Sequence, residues 1–96
     1  MINIRLSPMA RADLDGIWNY SVQVWNLDQA EAYMRVIEAS FNILAGQPEL
    51  GRRINDIRKG YFSFPSGSHL PIYKITNGYI DIIRILHKSS DVVRHI

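Results

Sequence analysis

The stretch from Tyr79 to Leu86, Tyr-Ile-Asp-Ile-Ile-Arg-Ile-Leu, is the most hydrophobic and most β-branched part of this 96-residue chain. Side chains of that kind favour a pleated, buried backbone, so the stretch commits the chain to a sheet and reads as its central strand. Asn77-Gly78 just before it is a strong two-residue hairpin signal, which requires an antiparallel partner immediately upstream. Arg84 lies inside the strand. Burying a lone guanidinium costs several kcal/mol, against a total stability of roughly 5 to 14 kcal/mol for a domain of this size. Arg84 must therefore be ion-paired or face water. His87 and Lys88 place an imidazole and an ammonium group where the rigid element ends, a common position both for function and for an ordinary loop.

Around this strand the chain reads strand, helix, helix, strand, strand, strand. Ile2, Ile4 and Leu6 alternate with Asn3 and Arg5, the pattern of a strand with one face on a core. Ser7-Pro8 is an N-cap followed by proline at the first helical position, and Leu14, Ile17, Trp18, Ser21 and Trp25 then recur at helical spacing. This first helix runs from about Pro8 to Trp25, and Gly16 within it suggests a close approach on that side. Asp28 with Glu31 resembles a capping box opening a second helix. Ala30, Tyr33, Ile37, Phe41 and Leu44 form its buried stripe, and Gly46 and Pro48 stop it. The segment from Pro48 to Gly60 reads as a basic loop with room for one helical turn. Tyr61 to Phe64 and His69 to Thr76 are the next strands, separated by the Pro65-Ser66-Gly67-Ser68 turn. Pro71 removes a ladder donor and belongs at a strand start, a bulge or an edge. The tail from Asp91 has the length of a final turn.

Length and composition narrow the function classes. With 47% hydrophobic and 21% charged residues the chain has the composition of one ordinary globular domain, residues 1–96, with a modest core. It has no cysteine, which removes disulfides and thiolate metal sites and agrees with a reducing cytosol. Its first residues are no signal peptide and its apolar runs are too short for a membrane span, so a cytoplasmic location is expected. The net charge of +2 hides an asymmetry: residues 1–48 carry three Arg/Lys and five Asp/Glu, residues 49–96 eight and four. The basic second half is too weakly charged for a dedicated DNA-binding protein, but it favours an acidic protein partner or local contact with a phosphate backbone.

The chemistry-bearing residues make no familiar motif. His69, His87 and His95 with Asp81 and Asp91 lack metal-ligand spacing, so no metal is expected. Serines beside glycine and proline are turn formers rather than nucleophiles, and neither a nucleophile elbow nor a phosphate-cradling loop occurs, so no nucleotide cofactor is expected. Metal-free RNA cleavage needs only a base, an acid and cations, which His87, Arg84, Arg58, Lys59, Tyr73 and His69 supply if the sheet gathers them. Against this stands the plain reading of Arg58 and Lys59 as a solvated loop and Tyr73 as core. Trp18, Trp25, Tyr33 and Phe41 are core residues at helical spacing, with enough aromatic surplus to suggest a protein-binding groove.

The fragments Leu6-Ser7-Pro8, Ala12-Asp13-Leu14, Ile17-Trp18, Gln29-Ala30-Glu31, Pro48-Glu49-Leu50-Gly51-Arg52, Asp56-Ile57-Arg58-Lys59-Gly60-Tyr61, Gly67-Ser68-His69 and Ile83-Arg84-Ile85-Leu86-His87-Lys88 together resemble the ParE toxins of the RelE/ParE superfamily. None is specific alone; their order and spacing are. The resemblance implies a toxin of a type II toxin–antitoxin pair, silenced by a ParD-like antitoxin and poisoning DNA gyrase without an enzymatic activity of its own. The alternative is the related RelE branch, which cuts messenger RNA on the ribosome. His87 falls where some interferases carry a catalytic histidine. Lys88, however, stands where those have tyrosine, and Tyr61 to Ser66 offers no glutamate as base. Pro71 in place of an aliphatic residue, and Ser89-Ser90 in place of a basic and a bulky apolar residue, also depart from the usual ParE pattern.

The expectation is thus an α+β fold in which a two-helix hairpin covers one face of a largely antiparallel four-stranded sheet, with the first strand beside the Tyr79 strand. Arg52, Arg53, Arg58, Lys59, Arg84, His87 and Lys88 are the candidate target-binding surface. Trp18, Trp25, Tyr33 and Leu50 are the candidate antitoxin contacts.

Overall fold

The computed structural model describes residues 2–96. Strand β1 (Asn3–Leu6) leads into helices α1 (Pro8–Val24) and α2 (Leu27–Gly46). Strands β2 (Arg52–Arg53), β3 (Tyr61–Ser63), β4 (His69–Thr76) and β5 (Tyr79–His87) follow, and a short helix α3 (Val92–His95) ends the chain. The sheet order is β1-β5-β4-β3-β2, with β1 parallel to β5 and the other pairs antiparallel. The α+β architecture and the β1–β5 pairing are as the sequence predicts; the strand count is not. Five strands form rather than four, because Arg52 and Arg53 pair with Ser63 and Phe62 in what reads from sequence as loop. As a result β4, not the Ile-rich β5, is the middle strand.

Local signals explain the helix starts. The Ser7 side chain accepts a hydrogen bond from the Ala10 N–H, with Pro8 beginning the helix. Its hydroxyl also donates to the Ile83 carbonyl at 2.7 Å, fastening the start of α1 to β5. At α2 the cap is Asn26, whose side chain accepts from the Gln29 N–H, rather than the expected Asp28. Asp28 falls in the first turn instead, where a carboxylate favours the positive end of the helix dipole.

The main core lies between the hairpin and the sheet, with Ala10, Ile17, Ile37, Phe41 and Leu44 packed against Phe62, Tyr73, Ile80, Ile82 and Ile85. A smaller cluster of Ile54, Ile72 and Leu86 on the other side is covered by Ile57, Tyr61, Val92 and Ile96. The 54–60 loop and the C-terminal turn therefore close what the hairpin leaves open. Ile82 and Ile85 share a core although three residues apart, because a register shift beside Ile72 and Tyr73 puts one extra residue, Ile83, into β5. Pro71 is tolerated in the middle strand because its carbonyl, and with it the missing N–H, points to the side where β3 has already ended and only Phe64 donates. Gly16 does not mark a close approach: a Cβ there would meet nothing within 4 Å.

Candidate functional site

β1 ends at Leu6, leaving the last part of β5 without a strand neighbour on that side. Asp13, one and a half turns into α1, fills the gap. Its carboxylate accepts from the Ile85 N–H at 2.9 Å and from Arg84 Nε and Nη2 at 2.8 and 2.9 Å. This bidentate pair answers the question that the Ile-rich strand raises, since both side chains are largely buried, at 14% and 17% exposure. Arg84 Nη1 reaches on to the His95 carbonyl at 3.4 Å. The guanidinium is held as a cation above its ordinary value by the Asp13 hydrogen bonds, which outweigh the cost of burial. On β1 the Arg5 side chain is likewise spent, bonded twice to Asp81 and lying 3.8 Å from the Tyr79 ring centre.

The β4–β5 register sets His69 directly opposite His87, with ring centres 5.4 Å apart. Tyr33 reaches from α2 to the hairpin tip beside them. Its hydroxyl accepts from the Ser68 N–H at 2.9 Å and meets His69 Nδ1 at 2.5 Å. Its ring lies against Gly67, whose φ of +59° few other residues adopt and where a Cβ would come within 2.6 Å of that ring. The pair Ser40–Ser66, hydroxyl to hydroxyl at 2.7 Å, adds a second, buried tie between α2 and the same tip. Burial lowers the His69 pKa, the neighbouring His87 lowers it further, and Asp13 pulls the other way.

The two imidazoles line a cleft of about 530 Å³ together with Ala12, Asp13, Gly16 and Tyr20 of α1 and with Trp25 and Tyr33. The cleft is aromatic, and its one charged lining residue, Asp13, is neutralised by Arg84. His87 is further constrained. Ser89 meets His87 Nδ1 twice, its N–H at 3.1 Å and its hydroxyl at 2.7 Å, so this nitrogen is taken up within its own turn.

The residues singled out from the sequence separate into groups. Arg84 faces Asp13, and Arg58 donates to the Ile96 carbonyl at 3.0 Å while lying over the Tyr61 ring. Arg53 bonds Glu49 at 2.8 Å and covers Phe62. Arg52, Lys59, His87 and Lys88 are exposed. Tyr73 is fully buried, donating to the Pro48 carbonyl and accepting from the Gly51 N–H, so it lies in the core and away from any gathered RNA site. Trp18 is half-buried, whereas Trp25 is 52% exposed and meets Tyr33 edge to face. Leu50 lies apart from both, in a separate groove of about 820 Å³ with Pro48, Phe62 and Ile75. Reading residues one at a time missed the Tyr33–His69–His87 cluster and the role of Asp13. Counting back from the Asn77-Gly78 turn pairs His69 with Leu86; the extra residue at the register shift beside Ile72 and Tyr73 is what brings His87 opposite it.

Among solved structures, the chain has the fold of the chromosomal ParDE toxin–antitoxin system of P. aeruginosa, with a TM-score of 0.78 and 19% identity over 91% of this chain and 96% of that one. It also resembles a chain of the RelBE2 toxin–antitoxin complex of Mycobacterium tuberculosis, with a TM-score of 0.60 and 25% identity over 91% and 98%. These likenesses define the class: a RelE/ParE-like toxin fold of type II toxin–antitoxin systems. The model of the family described as "ParE toxin of type II toxin-antitoxin system, parDE" matches residues 4–92. The proteins named Toxin ParE1 of Mycobacterium tuberculosis and Caulobacter vibrioides are each 40% identical over 92 residues, covering 95% and 96% of this chain and 94% and 95% of their own. The chain belongs to the ParE toxin family.

Proposed function

We propose that this toxin acts by binding DNA gyrase and blocking replication, with no enzymatic activity of its own, and that a ParD-like antitoxin neutralises it. The observation that carries the non-enzymatic reading is the lining of the histidine cleft. A metal-free ribonuclease needs a base with a free lone pair and a cation beside the reacting phosphate. His87 Nδ1 is engaged by Ser89, and the cleft is lined by no Arg or Lys among the described residues. Arg84, the nearest candidate by sequence, is committed to Asp13.

In this reading Arg52, Arg53, Arg58, Lys59, Arg84, His87 and Lys88 remain the target-binding set, with Arg84 acting as the support of the β5 end rather than by contact. Trp18, Trp25, Tyr33 and Leu50 are the antitoxin contacts; the exposure of Trp25 and Leu50 supports their part. The experiment is expression of the toxin alone and together with its neighbouring gene. DNA breaks with a DNA-damage response, relieved by the neighbour, are expected. Cleaved transcripts on intact DNA would establish the interferase alternative instead.

A further inference from the structure

His69 and His87 lie on different strands and meet only through the β4–β5 register, so the sequence spacing that argues against a metal does not see them as a pair. Their ring centres are 5.4 Å apart. An imidazole nitrogen sits about 1.1 Å from its ring centre, and zinc binds it at about 2.0 to 2.1 Å, so two rings on adjacent corners of a tetrahedron have centres about 5.2 Å apart. The two histidines thus already have the separation that one shared ion requires. The 82° between their planes is no obstacle, since each ring can turn about its metal–nitrogen axis.

The hydrogen bonds leave the same nitrogen for a ligand on both rings. The Tyr33 hydroxyl meets His69 Nδ1 at 2.5 Å, and the Ser89 hydroxyl meets His87 Nδ1 at 2.7 Å. Ligating histidines are commonly arranged in this way, with the second ring nitrogen donating to an oxygen that fixes the ring. With an ion on Nε2, each Nδ1 carries the proton and donates to its hydroxyl. The Ser89 N–H, 3.1 Å from His87 Nδ1, then turns to water, to which Ser89 is exposed. Tyr33 is itself held by the Ser68 N–H at 2.9 Å, so His69 is the fixed ring and the exposed His87 is the one an incoming ion meets first.

No third His, Cys, Asp or Glu joins the pair among the described residues. Water therefore completes the coordination, and an ion held by two protein ligands exchanges with its surroundings. Imidazole ligands select zinc, copper or nickel over magnesium and calcium, which take oxygen.

We propose that His69 and His87 form an exchangeable site for a divalent late transition metal ion, bound through both Nε2 atoms, which clamps the start of β4 to the end of β5. The site is independent of the gyrase reading and of any antitoxin contact.

The test titrates untagged full-length toxin with zinc chloride while the histidine ring signals are followed by NMR. One ion per chain should bind, moving the His69 and His87 signals together and leaving those of His95 in place, and magnesium chloride should move none of them. His87→Gln should weaken zinc binding by about tenfold or more, whereas His95→Gln should leave it unchanged. His87 is exposed, so its substitution leaves the fold intact. No saturation below about 1 mM zinc, undiminished binding in His87→Gln, or signals that move only at His95 would each overturn the proposal.

Discussion

The Asp13 carboxylate and the Arg84 guanidinium form a two-pronged ion pair at 2.8 and 2.9 Å, and the same carboxylate takes the Ile85 N–H that β1 leaves unpaired. One side chain of α1 thereby finishes the edge of β5 and fixes the strand end that carries His87 and Lys88. Asp13→Asn keeps an oxygen for Ile85 but leaves a largely buried cation without its charge partner. It should cost about 2 kcal/mol in urea unfolding. Arg84→Lys, which keeps the charge and loses the fork, should cost about half as much.

Two glycines predict opposite signs. Gly67→Ala forces a Cβ into the Tyr33 ring at a left-handed backbone position and should destabilise by about 2 kcal/mol. Gly16→Ala adds a Cβ to open space in a helix interior and should stabilise by about 1 kcal/mol. Thermal unfolding of the two variants beside the parent reads both.

The lowered pKa of His69 makes stability depend on pH in a fixed direction. The unfolded chain takes up the proton near the ordinary histidine value of 6.5, and the folded chain resists it, so the unfolded state binds more protons in between. Stability is complete above that value and falls as pH drops through it towards the folded pKa. Urea midpoints at pH 8 and pH 5 should differ, and His69→Gln should reduce the difference. Asp81, held below its ordinary value by Arg5, adds a separate loss at more acid pH.

Lys59→Ala and Lys88→Ala remove exposed charge and should change stability by less than about 0.5 kcal/mol while reducing toxicity. Arg58→Ala should also cost about 1 kcal/mol, because its guanidinium holds the Ile96 carbonyl and covers Tyr61. Growth of cells expressing each variant, scored beside its unfolding curve, separates the two effects.

Much of this was readable from the chain because the signals are local. Ser7-Pro8 begins α1, Asn77-Gly78 turns with φ of 46° and 81°, and alternation marks β1. The misses are non-local. Arg52-Arg53 has no strand signature of its own and becomes a strand only because Phe62 and Ser63 offer an edge. Asp13 looks like any polar helix residue until the end of β1 leaves Ile85 unpaired. The histidine cluster needs a register across two strands and a tyrosine from a helix, which residue spacing does not carry.

The most direct measurement combines purified toxin with purified gyrase and supercoiling substrate, with a translating ribosome and messenger RNA in a parallel reaction. The account predicts lost supercoiling with trapped DNA breaks, intact messenger RNA, and recovery when the neighbouring antitoxin is added. Unaffected gyrase together with ribosome-dependent cleavage that disappears in His87→Ala would contradict it.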